Sequence, residues 1–134
     1  MRPLLSWLAL AVAAFAALAG GYHWYLGEHP RTVVIVVDSS FPMRADWERL
    51  PALFARLADD PYARYRVVTD KGQVAEYAGA PRPPSAAPYA PRALQRLAEP
   101  GFAAHLAGAD AVYLVTNAPA AEVPVLPGAR LLRP

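Results

Sequence analysis

From Pro3 to Gly27 the chain carries no charged side chain: PLLSWLALAVAAFAALAGGYHWYLG. A helix of that length crosses the hydrocarbon core of a bilayer, roughly 30 Å thick. A small globular domain cannot enclose such a segment on all sides, so the globular fold has to be built from the residues that follow. Trp24, Tyr22 and Tyr25 cluster at the far end of the run and Trp7 lies near its start, as aromatic residues do at the two membrane interfaces. The competing reading is a cleaved signal peptide, because Ala17-Leu18-Ala19 satisfies the small-x-small rule ahead of Gly20. The apolar run continues past that site, which favours an uncleaved anchor over residues 1–29. Arg2 and the amino terminus precede the run and Arg31 follows it. The shorter, earlier positive end favours the N-terminus inside, as a single-pass protein of a bacterial inner membrane with residues 30–134 in the periplasm.

Composition narrows the chemistry. The chain has 134 residues and no cysteine, which excludes disulfides, thiolate metal sites and cysteine nucleophiles. Thirteen basic residues face 11 acidic ones, a formal charge of +2, so no strong field points at nucleic acid. Lys71 is the single lysine beside twelve arginines and 15 prolines, a balance that fits a GC-rich genome better than a phosphate-binding signature. The three histidines, His23, His29 and His105, are scattered without zinc-type spacing. No G-x-S-x-G elbow and no glycine-rich phosphate loop is present.

The remainder reads as strands alternating with helices. VVIVV, residues 33–37, is apolar on both faces, as in a central parallel strand covered by helices on each side. ADWERLPALFARLADD places Trp47, Leu50, Leu53, Phe54 and Leu57 three and four apart, an amphipathic helix that Pro51 either starts or kinks. YRVVTDKGQVAEYAG predicts two strands joined at Asp70-Lys71-Gly72, with the glycine free to take a positive φ. APRPPSAAPYAP, residues 80–91, holds five prolines and reads as an extended strap. A helix with Leu94 and Leu97 inward, broken at Pro100-Gly101 and resuming around Phe102 and Leu106, leads to a last clear strand, AVYLVTN at 111–117. The tail EVPVLPGARLLRP has room for an edge strand. This β-α-β-α order predicts a small α/β domain with an open sheet, whose sites lie at the carboxyl ends of its strands. Asp38-Ser39-Ser40 and Thr116-Asn117 would then share one crevice.

The sequence D-x-S after the first strand, followed by helix, strand pair, proline-rich loop, helix and a strand ending in polar residues, resembles a von Willebrand factor type A domain. The resemblance covers residues 32 to about 118 and implies a Rossmann-like sheet with one antiparallel edge strand, here the DKG hairpin. It also implies a metal-ion-dependent adhesion site, in which hydroxyls and carboxylates present hard oxygen ligands to Mg²⁺. Asp38 and Ser40 occupy the first two positions of that motif, and Pro42 stands where a second serine belongs. Ser85 stands for the loop threonine, and Asn117 takes the place of the later aspartate. With Asp38 as its one firm carboxylate, such a site is degenerate: it holds Mg²⁺ weakly, if at all, and the chain otherwise needs no cofactor. On the residues alone, Asp38 to Ser40 could equally cap the following turn, because their side chains bond nearby backbone amides.

A second resemblance, to PIN-type ribonucleases, rests on VVDSS and the late strand YLVTN. It would need Asp38 to be joined by further acids, with Glu76 and Asp110 as candidates, around an activating metal ion. The reading preferred here is a non-catalytic, membrane-anchored interaction domain. Of the kind the first resemblance implies, it would be a subunit or assembly factor of a larger membrane or periplasmic complex. Its protein partner would meet either the Asp38–Ser40 crevice or the strap around Arg82 and Tyr89. Ala9, Ala13, Ala16 and Gly20 form a small-residue stripe suited to packing against other membrane helices, although so alanine-rich a helix produces such stripes by chance.

Overall fold

The computed structural model describes residues 2–134, which divide into two compact units meeting between Pro30 and Arg31. The first is one helix, α1 (Arg2–Glu28). The stretch Pro3–Glu28 is long and apolar enough to cross a membrane, and 0% of its most apolar window is buried within the chain. Trp7, Tyr22, Trp24 and Tyr25 are all exposed, and His29 stacks on the Tyr25 ring at 4.3 Å between centroids.

The second unit is an α/β domain on a five-stranded mixed sheet. Its strands are β1 (Arg31–Val37), β2 (Ala63–Thr69), β3 (Val74–Tyr77), β4 (Ala111–Val115) and β5 (Ala129–Leu132), in the spatial order β3-β2-β1-β4-β5. β1 runs parallel to both β2 and β4, β4 is parallel to β5, and β3 alone is antiparallel. VVIVV has to be apolar throughout because β1 is the middle strand, covered on both faces. Val33, Ile35 and Val37 pack with Met43, Leu50 and Phe54 on one side. Val34 and Val36 pack with Leu94, Leu97 and Phe102 on the other. Each such side chain contributes about 1.5–3 kcal/mol on burial.

Pro51 starts a helix rather than kinking one. Two 3-10 segments, Phe41–Ala45 and Trp47–Arg49, lead into α2 (Leu50–Leu57) with the proline in its first turn, where its missing N–H costs nothing. The expected break before the second helical segment is present, one residue ahead of Pro100-Gly101. The chain is 3-10 over Leu94–Ala98, turns at Glu99, and α3 (Pro100–Leu106) begins at the proline. The hairpin turn falls where expected, with Gly72 at φ 79°.

Tyr65 closes the bottom of the α2 layer by donating from its hydroxyl to the Leu57 carbonyl at 2.9 Å. Burial raises the pKa of this phenol, and the nearby Asp60 and Asp59 charges add to the shift. A raised folded-state value means that stability declines as pH climbs beyond the ordinary tyrosine value of about 10. Tyr65→Phe is expected to cost about 1 kcal/mol at neutral pH through the lost hydrogen bond. It should also flatten the loss of melting temperature above pH about 10, measured by a pH series of thermal melts. An unchanged alkaline slope would show that other groups set it.

Candidate functional site: a sealed polar cluster and an open groove beside it

The strand order reverses direction around β1. The first crossover carries the chain to β2 and the later one to β4 on the opposite side, so the carboxyl ends of β1 and β4 meet at the switch in the sheet, where α/β folds place ligands. Here that position is filled from within. Asp38, Ser40 and Thr116 are each 0% exposed. The Asp38 carboxylate accepts the Ser40 amide at 3.0 Å and the Ser40 hydroxyl at 2.5 Å through Oδ1. Through Oδ2 it accepts the Thr116 hydroxyl at 2.6 Å and Arg92 Nε at 3.1 Å. Asp38 and Ser40 therefore do come together, as the sequence suggests, but with a guanidinium on the carboxylate.

Arg92 ties the cluster shut. Its other nitrogens donate to Asn117 Oδ1 and, at 3.3 Å, to Glu122 Oε2. Asn117 is in turn spent, its amide nitrogen donating to the Pro42 carbonyl and to Asp46 Oδ2, each at 2.8 Å. Both groups of the asparagine thus serve as internal clamps. Pro42 contributes its carbonyl where the motif would have supplied a hydroxyl.

The strap lies across the end of β1 and completes the seal. Tyr89 N–H donates to the Ser39 carbonyl at 2.9 Å, and Phe41 N–H donates to the Ala90 carbonyl at 3.0 Å. Between these two bonds Ala90 sits at φ 65°, a left-handed conformation that costs a non-glycine residue about 1 kcal/mol and persists because both flanks are pinned. Directly after the strap, Leu94 and Leu97 bury themselves against the even-numbered face of β1, which delivers Arg92 to Asp38.

A second buried carboxylate stands beside the first. Asp70, at the end of β2, accepts the Ser39 amide at 2.9 Å and the Ser39 hydroxyl at 2.6 Å. Lys71 Nζ pairs with Asp70 at 3.1 Å, touches Ser39 Oγ at 2.9 Å, and lies 4.7 Å above the centre of the Tyr89 ring. The Ser39 hydroxyl points at a carboxylate and the Lys71 ammonium is held by the same carboxylate, so the pair is arranged as a charge-balanced network.

The remaining expected residues lie elsewhere. Ser85 is exposed on a groove of about 400 Å³ beside the β2–β3 hairpin, which it shares with Arg82, and it makes no bond to the Asp38 cluster. Arg82 and Tyr89, read from the sequence as one surface, line different grooves. Asp110 hydrogen-bonds the Thr32 amide at 2.7 Å, at the amino end of the sheet, whereas Asp38 follows its carboxyl end. Glu76 faces solvent and pairs with Arg66 at 3.0 Å. The three acids a nuclease would gather thus remain apart. Among the described residues no three His, Cys, Asp or Glu side chains converge as a metal site. His105 sits edge-on to Phe102 at 5.6 Å as a packed residue. Arg92, Asp70 and Lys71 carry no motif signal that would single them out; a charged residue just after a proline-rich strap is the faintest of hints.

Lys71, Tyr89, Arg92 and Arg96 also line an open groove of about 450 Å³ that leads away from the cluster. Comparison with protein-family models, curated proteins and solved structures finds no match to this chain.

Proposed function

We propose that the chain is a non-catalytic, membrane-anchored interaction protein, an accessory or assembly subunit of a larger membrane or periplasmic complex. The observation that carries this reading is α1 itself, an apolar helix of membrane-spanning length none of whose most apolar window is buried within the chain. Its exposed apolar surface calls for a bilayer, and tethering there raises the effective concentration of the attached domain for any partner at the same surface. The sheet order with its single antiparallel edge strand supports a shortened, Rossmann-like fold akin to von Willebrand type A domains. In this reading the adhesion-type metal has been superseded by Arg92, a fixed cation on the Asp38 carboxylate. The early positive end of α1 favours the domain on the periplasmic face of a bacterial inner membrane.

The test is affinity purification of the tagged full-length chain from native membranes in mild detergent, with and without Mg²⁺. Recovery in a stoichiometric assembly that survives chelation of divalent ions is expected. Recovery as a lone monomer overturns the subunit reading. A melting temperature that rises with Mg²⁺ and loses that rise in Asp38→Ala would restore the metal-dependent adhesion alternative.

A further inference from the structure

We infer that the two turns entering β4 and β5 are a second point of membrane contact, resting their apolar tips in the interface of the lipid bilayer. The inference deepens the anchored reading and rests on it. The chain writes the same turn twice, Leu-Ala-Gly-Ala at 106–109 and Leu-Pro-Gly-Ala at 126–129. In both, the N–H of the last residue donates to the leucine carbonyl, at 3.2 Å and 3.1 Å, and the glycine sits at φ 73°. Ala107, at φ -60° and ψ 134°, completes a type II turn in the first, and Pro127 fills the matching position, which favours proline, in the second. Leu106, Ala109 and Leu126 pack onto the cluster around Val34 and Val36. The tips, Ala107-Gly108 and Pro127-Gly128, are exposed.

Covalent tethering selects the bilayer as the occupant. Only His29 and Pro30 join α1 to β1, and three backbone steps span about 10 Å at most, so Arg31 cannot leave the neighbourhood of the membrane surface. β1, β4 and β5 run parallel, and Asp110 N–H donates to the Thr32 carbonyl at 2.8 Å. Both turns therefore lie at the end of the sheet where Arg31 begins it. The surface they offer there is apolar. Residues 106–109 and 123–129 include no charged side chain, and Val125 is 92% exposed. Val125 also lines a groove of about 200 Å³ with Leu114, Leu126 and Leu131. Arg130 points to the opposite face of β5, because its neighbours Ala129 and Leu131 line that groove. The other half of the same end, where β2 begins, carries exposed Asp59 and Arg64 and belongs in water. An uncharged corner with exposed aliphatic side chains enters the interface without taking a charge out of water.

The chain has no cysteine, so Ala107→Cys, Val125→Cys, Ala121→Cys and Ala13→Cys each create one labelling position. Each full-length variant is labelled with nitrobenzoxadiazole and reconstituted into phosphatidylcholine vesicles, with and without a nitroxide placed high on the lipid acyl chain. Labels at 107 and 125 are expected to emit further to the blue and to be quenched by the nitroxide. The label at 121, beside Glu122 at the other end of the sheet, should stay in water and remain unquenched. Raising the ionic strength well above about 0.1 M should change neither result, since the contact involves no charge. Emission at 107 and 125 that matches 121, while the label at 13 is quenched, overturns the inference and leaves the anchor standing. A label at 13 that escapes quenching sinks the anchored reading as well. Quenching that appears only with anionic lipid would make the contact electrostatic and overturn the apolar one. So would a label at 125 that is shielded in native membranes but not in lipid alone, which would assign the surface to a protein partner.

Discussion

Replacing Arg92 with alanine is expected to destabilise the domain by about 3–5 kcal/mol, because it strands a buried carboxylate without its counter-charge. Asp38 has no exposed surface and the side chain of Arg92 only 16%. Water can therefore do little to compensate once the guanidinium is gone. For a domain of about 100 residues each kcal/mol moves the melting temperature by about 4–8 °C, so a fall of more than about 10 °C should be plain in a thermal melt. Asp38→Asn in the Arg92→Ala background removes the stranded charge while keeping an acceptor oxygen for Ser40 and turning an amide donor toward the Thr116 hydroxyl. It should recover a measurable part of the loss, a coupling that a double-mutant cycle quantifies. A loss below about 1 kcal/mol would mean that water reaches Asp38 and that the cluster is open, contrary to the geometry.

Ala16→Asp, near the middle of α1, is expected to disfavour membrane insertion by about 2.5–3.5 kcal/mol, on the order of a hundredfold in partitioning. Alkaline carbonate extraction of membranes, followed by immunodetection, reads the outcome directly. The unmodified chain should stay in the pellet and the variant should move to the supernatant or be degraded. Intact mass of the recovered unmodified chain adds the other half of the answer. A chain beginning at Gly20 would mean that the segment is a cleaved signal, and the anchor would have to be abandoned. Full-length protein in the pellet, with the variant released, is the anchored outcome.

The elements that the sequence made legible are those ruled by short-range periodicity. Residues 33–37 are apolar without alternation, and only a strand covered on both faces makes use of that, which puts β1 in the middle of the sheet. The DKG turn is legible because glycine alone takes φ 79° without strain. Helix starts at Pro51 and Pro100 were harder, since a proline reads equally as a break or as a first turn. The residues before each proline differ: Glu99 has turned out of helix at ψ 143°, whereas Pro51 follows 3-10 turns that run straight into α2.

The site shows the opposite balance. Asp38 and Ser40 stood out because two polar groups ended an apolar strand, and the structure places both at one buried point. What they bond to could not be read along the chain. Arg92 lies 54 residues from Asp38, and Thr116 lies 78. Nothing in local pattern distinguishes that arginine from eleven others. The expected part for Ser85 failed for a related reason: a proline-rich strap has no periodicity by which to count which residue reaches the strand end.

By itself, then, the sequence determined the apolar helix, the α/β class and the position of the polar residues at the end of β1. Each depends on side-chain character repeated over neighbouring positions, which burial sorts in the same way whatever the rest of the chain does. Only the tertiary structure decided what those polar residues are for. A carboxylate that follows a strand can bind a metal, cap a turn or pair with a cation. The outcome depends on which distant side chain the packing of Leu94 and Leu97 brings within 3.1 Å of it. In this protein the packing brings Arg92, which seals the crevice and leaves Arg96 facing the groove outside.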